Sequence, residues 1–337
     1  MSSPSLVAPA GVREITIAQA VNEALTEELR RDETVFVIGE DVAEAGTPFK
    51  VLSGLVEEFG PERILDSPIS EAGITGLGVG AAMTGLRPVV DIMFGDFLTL
   101  VMDQLANQAA KAHYMSGGKL SVPLVLRTTL GATRRSAAQH SQSLQAWIAH
   151  VPGLKVVLPS TPYDAKGLLK SAIRDDNPVV FIEDKMDWRV AGEVPSREYT
   201  LPLGVADVKR SGEDVTLVGT SSMVRVCLEA ADLLAAEGIS AEVVDPRTLS
   251  PLDGAALIES ARKTGRAIVV DEGHRSYGVT AELAAVIAEG AFHYLDAPVR
   301  RLGALDVPVP FSPTLEDETV PTPDLVAATA RDLCGRT

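Results

Sequence analysis

The chain has 337 residues, 46% of them hydrophobic and 23% charged, which is enough for two domains that each bury a core. A formal net charge of −16 argues against binding to nucleic acid or to anionic lipid, since both require basic surfaces. Aromatic residues make up only 4% of the chain, so platforms that stack on bases are not expected either.

From the N-terminus, helical periodicity alternates with short apolar runs. Thr16 and Gln19 fit a capping box in front of an amphipathic helix that ends near Arg30. Beyond it we expect strands at 34–38, 88–93, 122–127, 155–158 and 178–183, separated by helices that include 97–114 and 164–174. Such alternation is typical of parallel strands packed between helices.

Residues 184–203 interrupt this pattern with charges, a glycine and prolines, and we interpret them as a linker. The alternation then resumes, with strands at 215–218, 241–244, 267–270 and 298–302 and helices at 223–237, 253–264, 279–289 and 323–333. The expected fold class is therefore α/β, with two doubly wound parallel-sheet domains at 15–183 and 204–337 after a flexible N-terminus at 1–14.

The N-terminal segment and the cysteine content bear on location. The first residues lack the basic segment and apolar core of a secretory signal, and no run of about 18 apolar residues predicts a membrane span. Cys227 and Cys334 lie far apart and match no metal-ligand spacing, which is typical of a reducing compartment. We expect a cytoplasmic protein that does not contact a membrane.

One carboxylate, Glu71, lies in the opening turn of a helix that carries no charge from Ala72 to Leu86. We expect that helix to be buried on nearly all sides, because it has no polar face. A carboxylate in this position is either a partner of the helix dipole or a proton-handling group in a dry site.

Residues 76–81 of the same helix match the degenerate G-x-G-x-x-A fingerprint of dinucleotide sites, and Asp96 lies 20 residues after Gly76. That fingerprint requires a strand directly before it and a helix that it opens. Here Glu71 already occupies the helix start, and its charge would repel a pyrophosphate. A stand-alone NAD-dependent oxidoreductase is therefore an alternative only, and close packing explains the glycines better.

Three motifs occur here in the order and spacing of one family: Ser70-Glu71-Ala72-Gly73, Gly95-Asp96-Phe97, and Ala-Ala-Gln-His-Ser-Gln-Ser at 137–143. On these motifs the chain closely resembles the β subunit of the thiamine-diphosphate-dependent first component of 2-oxo acid dehydrogenase complexes. Pyruvate, branched-chain 2-oxo acid and acetoin dehydrogenases share this subunit. The resemblance implies a thiamine-diphosphate pyrimidine-binding domain followed by a transketolase C-terminal-like domain.

The resemblance also implies roles for single residues. Glu71 would share a proton with the aminopyrimidine ring of thiamine diphosphate, and Phe97 would pack on that ring, with Ile69 and Met93 lining the same pocket. His140 would face the cofactor and the incoming lipoyl group, where an imidazole can exchange protons near neutral pH. Judged from the residues alone, Phe97 could equally be a core side chain and His140 a structural hydrogen-bonding group.

A structural potassium ion is implied at a helix C-terminus, whose carbonyl groups carry partial negative charge. An ordinary polar turn is the alternative explanation for the same segment. The residues that would bind the ion are Leu124, Ala172, Ile173, Asp175 and Asn177.

The chain lacks the Gly-Asp-Gly and Asn-Asn motif that holds Mg²⁺ and the diphosphate in this superfamily. The resemblance therefore implies a partner α subunit that supplies Mg²⁺ binding, in an α2β2 heterotetramer, and a lipoyl-bearing acyltransferase that docks on the second domain. The expected function is oxidative decarboxylation of the pyruvate dehydrogenase type with reductive acyl transfer. Acetoin dehydrogenase is the alternative, because residues 127–132, 199–202 and 263–266 look more like acetoin-type β subunits and Leu100 replaces a glutamine that is common in pyruvate dehydrogenases. A non-catalytic scaffold subunit is a further one.

Overall fold

The computed structural model describes residues 11–335, and its first domain is built on seven strands. They are β2 (Val35–Gly39), β3 (Ile64–Asp66), β4 (Arg87–Ile92), β5 (Val125–Leu130), β6 (Lys155–Val157), β7 (Val179–Asp184) and β12 (Thr248–Ser250). Their order in the sheet is β12-β6-β7-β5-β4-β2-β3, and all neighbours are parallel except β12.

Helices cover both faces of this sheet. The predicted capping box is present, since the N–H of Gln19 donates to Thr16 Oγ1 and the N–H of Thr16 donates to Gln19 Oε1. The helix predicted at 97–114 is broken into a 3₁₀ turn (Gly95–Phe97), a first α-helical piece, a π-helical segment (Asp103–Ala109) and a last α-helical piece. The α-helices are α1 (Ile17–Arg31), α2 (Leu55–Phe59), α3 (Glu71–Met83), α4 (Leu98–Met102), α5 (Ala110–Met115), α6 (Gln145–Ala149) and α7 (Pro162–Arg174).

The second domain repeats the architecture with five strands in the order β14-β13-β10-β11-β9, of which only the edge strand β9 is antiparallel. The predicted α/β class with two mainly parallel sheets is thereby confirmed. The strands are β9 (Asp207–Arg210), β10 (Val215–Gly219), β11 (Ala241–Asp245), β13 (Ala267–His274) and β14 (Arg300–Ala304). The helices are α8 (Met223–Ala235), α9 (Gly254–Thr264), α10 (Val279–Ala291), α11 (Pro313–Asp317) and α12 (Pro323–Leu333).

Two short antiparallel pairings join segments that are distant in the sequence. The strand β1 (Val12–Thr16) pairs antiparallel with β8 (Ala191–Pro195). Residues 12–14 of the expected flexible N-terminus are therefore ordered in a strand, and the expected linker contains one; residues 1–10 lie outside the described range. Because β12 belongs to the second half of the chain but extends the first sheet, the two domains are interlocked.

Ion pairs join α1 to α7 across the first domain. Lys166 and Lys170 of α7 are almost completely buried, and each donates to Glu27 of α1. A buried ammonium is tolerated only when it is paired in this way. Within residues 11–335 no helix is both long and apolar enough to cross a membrane.

Candidate active site

The candidate site lies along the carboxyl edge of the first sheet, where ligands bind in parallel α/β folds. Glu40 follows β2, Glu71 follows β3, Phe97 follows β4, and His140 lies in the loop after β5. These four strands are consecutive neighbours, β5-β4-β2-β3, so the topology sets the four side chains in a row. From the end of β4 to the end of β3 is two strand spacings, or about 10 Å.

Glu71 forms the first turn of α3 and is only 8% exposed. Within residues 11–335 no group donates a hydrogen bond to its carboxylate. Glu40 lies beside it with one carboxylate oxygen buried and also lacking a donor. Burial raises the pKa of Glu40, and repulsion from Glu71 raises it further. The Glu40 carboxyl therefore retains its proton to a higher pH than an ordinary glutamate.

Phe97 and His140 are brought together with a third ring, Phe94. The Phe97 and His140 rings are 5.5 Å apart between centroids, and both lie edge-on to Phe94, at 5.8 and 4.7 Å. The imidazole is half-buried, and its ring nitrogens form no hydrogen bond with the described residues. It is thus held by packing while both nitrogens stay available to a ligand.

Two buried charged groups hold the backbone next to His140. Lys185 donates from Nζ to the His140 carbonyl oxygen. Burial lowers the pKa of Lys185, and the negative charges of nearby carboxylates oppose that effect. Asp96 accepts from the N–H and from Nε2 of Gln142, at 3.2 and 2.9 Å. The sequence places Asp96 in the Gly95-Asp96-Phe97 motif but predicts neither its contact with Gln142 nor that of Lys185 with His140, because neither contact leaves a local pattern.

The sequence predicts that α3 is buried on nearly all sides, and this prediction is wrong. One face packs on the sheet, where a Cβ at Gly78 would lie 2.5 Å from Val90 Cγ2 and 2.9 Å from Leu124 Cδ1. The other face is exposed and apolar, with Leu77 at 50% and the preceding Ile69 at 82% exposure. An uncharged helix predicts burial, but the partner that buries it need not belong to the same chain.

The glycine fingerprint at 76–81 lies inside α3 and not at its start. Its N–H groups are consumed by the helix and cannot bind a pyrophosphate. Gly78 allows α3 to pack closely on the sheet, whereas Gly76 and Gly80 lie on the exposed face of the helix. Of the expected pocket residues, Met93 is half-buried while Ile69 is exposed, so this chain alone does not enclose Ile69.

The residues expected to bind potassium meet at the C-terminal end of α7. Asn177 donates from its N–H and from Nδ2 to Asp175 Oδ1, at 2.9 and 3.1 Å. Arg87 donates to the carbonyl oxygens of Ile173 and Asp175, both at 3.0 Å, so a cationic group already lies at this helix end. Any cation bound here would share these carbonyl oxygens with Arg87. The full set is Leu124, Ala172, Ile173, Asp175 and Asn177.

The side chains along the carboxyl edge of the first sheet fit the aminopyrimidine end of thiamine diphosphate. A buried carboxylate without a donor can bind a ring nitrogen, and the aromatic cluster offers an apolar surface to the aminopyrimidine. Within residues 11–335 no group of three or more His, Cys, Asp or Glu side chains could hold a metal ion. The residues present therefore fit the pyrimidine end and include no Mg²⁺ site of this kind.

Comparisons with known proteins agree with this division into a pyrimidine site and a second domain. Residues 13–190 match the pyrimidine binding domain of transketolase, and residues 204–326 match the transketolase C-terminal domain. A solved structure described as a split gene transketolase, inactive beta4 tetramer, superimposes with a TM-score of 0.77 at 25% identity, covering 95% of this chain and 98% of that one.

Curated relatives match over almost the whole length. The chain is 50% identical to the acetoin:2,6-dichlorophenolindophenol oxidoreductase subunit beta of Bacillus subtilis (strain 168), over 96% of this chain and 98% of the relative. It is 47% identical to the 2-oxoisovalerate dehydrogenase subunit beta of the same organism (93% and 97%). It is 46% identical to the mitochondrial pyruvate dehydrogenase E1 component subunit beta-2 of Oryza sativa subsp. japonica (97% and 88%). The chain therefore belongs to the transketolase-like β subunits of the first component of 2-oxo acid dehydrogenases and acetoin dehydrogenases.

Proposed function

We propose that this chain is the β subunit of a 2-oxo acid dehydrogenase of the pyruvate dehydrogenase type, and that it binds the aminopyrimidine end of thiamine diphosphate. The observation that carries the proposal is the buried Glu71 carboxylate, which lacks a donor and lies in one row with Phe97 and His140. When bound, thiamine diphosphate supplies a thiazolium carbon that becomes nucleophilic after losing a proton.

Glu71 acts on the cofactor ring by holding a proton at its carboxyl oxygen. A carboxyl that is shielded from water shares its proton with a ring nitrogen more readily than one in bulk solvent. Glu40 supports this because burial, and then the nearby charge of Glu71, raise the pKa of Glu40, so a second carboxyl close to the ring can hold a proton. Phe97 packs against the ring and excludes water from that contact.

His140 acts on the acyl-transfer side of the site. Its half-buried imidazole has an unoccupied hydrogen-bonding capacity within the described residues and stands against Phe97. A group of this kind can protonate a sulfur of the lipoyl dithiolane as the acyl group is transferred to the other sulfur. The lipoyl group belongs to an acyltransferase partner, for which the second domain offers the docking surface.

An α subunit completes the site. An apolar surface is formed by the exposed face of α3, by Ile69 and by Leu100 of α4, which is 53% exposed. Contact of this surface with water costs free energy. We propose that the α subunit covers this face, brings the Mg²⁺ and diphosphate half of the site, and forms an α2β2 heterotetramer with this chain. A cytoplasmic location is part of the same proposal and is tested by cell fractionation.

The test uses this chain co-expressed with a Gly-Asp-Gly-containing α subunit. Glu71→Gln is nearly isosteric, and we expect turnover to fall by roughly a hundredfold or more because the shared proton is lost, with little change in thermal stability. Glu57→Gln, at an exposed glutamate of α2, is the matched control and keeps full activity. Full activity of Glu71→Gln would reject proton sharing, and the non-catalytic scaffold would then be favoured.

Acetoin is the second candidate substrate, favoured by the relative at 50% identity. The reconstituted enzyme is assayed with pyruvate, a branched-chain 2-oxo acid and acetoin, and the kcat/KM values rank them. The acetoin alternative is adopted if acetoin has the highest value.

A bound potassium ion at the α7 terminus is tested separately by thermal unfolding in KCl against choline chloride at equal ionic strength. We expect a higher melting temperature in KCl, and equal melting temperatures would reject the ion site.

A further inference from the structure

The loop between β5 and α6, residues 131–144, carries His140 in a strained backbone. Thr133, Arg135 and Ala137 all have positive φ values, at 69°, 58° and 59°. A residue with a side chain adopts this left-handed region only when its surroundings hold it there. Three such residues at alternate positions indicate that contacts from the surrounding structure hold the loop in this shape.

A single carboxylate from the second domain supplies that restraint. Glu316 of α11 is completely buried and accepts hydrogen bonds from the N–H of Thr133 at 2.6 Å and from the N–H of Arg135 at 3.1 Å. It also accepts from Arg135 Nη1 at 2.7 Å. Two of the three strained residues are therefore bound through their backbone by one side chain, and hydrogen bonds to a charged acceptor are the stronger kind.

The far end of the same loop is fixed differently. The His140 carbonyl oxygen is bound by Lys185, and the Gln142 backbone is bound by Asp96. With Glu316 at the start of the loop and these groups near its end, the segment between them has little freedom. The imidazole is thereby directed at Phe94 and Phe97.

We propose that Glu316 is a positioning residue for His140, so that the second domain takes part in acyl transfer by setting the shape of the loop in the first. The inference rests on the proposed function of His140. Asp317 provides a contrast, because it binds only the Arg135 guanidinium and its side chain is 56% exposed. It neither contacts the strained backbone nor is buried.

The experiment is a double-mutant cycle in the reconstituted enzyme, with Glu316→Gln, His140→Ala and both together. Single-turnover acylation of a lipoyl domain is measured beside decarboxylation with an artificial electron acceptor. We expect Glu316→Gln to slow acylation by roughly ten- to hundredfold and decarboxylation less, since misplacing a reacting group has effects of this size. On the His140→Ala background, we expect Glu316→Gln to have no further effect on the rate of acylation. The matched control, Asp317→Asn, leaves acylation close to wild type.

Equal slowing of acylation by Glu316→Gln with and without His140 would overturn the inference, because the effect would then be structural and additive. Glu316→Asp keeps the charge on a shorter arm, and we expect it to fold and to recover part of the rate if Glu316→Gln folds poorly. An Asp variant no better than Gln speaks against positioning.

A second readout does not depend on catalysis. Carbethoxylation of His140 by diethylpyrocarbonate in the full-length chain, followed by mass spectrometry, is expected to change in rate severalfold in Glu316→Gln and not in Asp317→Asn. An unchanged rate in Glu316→Gln rejects positioning. If His140→Ala leaves acylation intact while this rate changes, the proposed role of His140 fails and the control of the loop by Glu316 stands.

Discussion

Substitution of Arg127 tests how much a buried cluster of ion pairs in the first sheet contributes to stability. Arg127 of β5 is buried between Glu183 of β7, which it binds through two nitrogens, and Asp91 of β4. Glu183 and Asp91 are themselves buried, so Arg127→Met leaves two carboxylates without their counter-charge inside the sheet. Breaking a buried pair in this way costs about 3–5 kcal/mol. For a chain of 337 residues that loss corresponds to a fall in melting temperature of about 4–7 °C.

The pH dependence of this loss has a definite sign. Burial raises the pKa of Asp91 even in the presence of Arg127, and without the guanidinium that rise becomes larger. A carboxyl whose pKa is raised on folding binds more protons in the folded state, so its stability contribution falls as pH rises. Arg127→Met should therefore be less destabilised at pH 5 than at pH 8.

Urea unfolding followed by circular dichroism at both pH values measures the effect. The control is the triple variant Arg127→Met, Glu183→Gln and Asp91→Asn, which removes all three charges together. We expect it to regain part of the lost stability at pH 8, because no unpaired charge remains buried. A loss that is independent of pH, or a triple variant no more stable than the single one, would refute this explanation.

Three further predictions concern packing and charge. Gly78→Val should destabilise the chain by about 1–3 kcal/mol, because a Cβ would lie 2.5 Å from Val90 Cγ2. In Gly80→Ala the added Cβ meets no atom within 4 Å, so this variant should stabilise α3 by up to about 1 kcal/mol. Thermal unfolding of both variants measures the two effects. Burial and repulsion from a neighbouring carboxylate raise the pKa of Asp187 to about 7, so stability falls as pH rises toward 7, and Asp187→Asn should remove that fall in urea titrations. Burial opposes ionisation of Glu27, but the lysines of α7 outweigh it and lower its pKa, so the stability advantage of wild type over Glu27→Gln should be present above pH about 4.5 and disappear in more acidic buffer.

Periodicity and capping chemistry predicted most of the architecture because those signals are local. The Thr16 capping box and the apolar runs of the parallel strands lie within a few residues of sequence. The sequence does not predict the strands β1, β3, β8, β9 and β12, since each is short, lies at an edge and depends on a partner distant in sequence. The burial of α3 was overestimated because apolar composition does not identify which chain covers a helix.

The candidate site was likewise only partly predictable from the sequence. Glu71, Phe97 and His140 could be selected from sequence because each lies in a short motif with a chemical rationale. Lys185 and Glu316 could not, since the first contacts the His140 segment across 45 residues and the second contacts Thr133 across 183. Such contacts depend on the order of strands in the sheet and on how the domains interlock. Motifs thus identify the groups that would touch ligands, while the groups that hold them emerge only from the fold.

The exposed face of α3 links cofactor binding to assembly. Glu71 is 8% exposed, yet Ile69, two residues before it, is 82% exposed and Leu77 on the same helix is 50% exposed. A partner that covers those apolar side chains would also remove the remaining water from Glu71 and would strengthen the hydrogen bond that we propose between Glu71 and a cofactor ring. By thermodynamic linkage, the factor by which the partner tightens cofactor binding equals the factor by which the cofactor tightens binding of the partner. A half-site that is open in the single chain therefore couples catalytic competence to the presence of the second subunit, and the chain alone should bind the cofactor weakly.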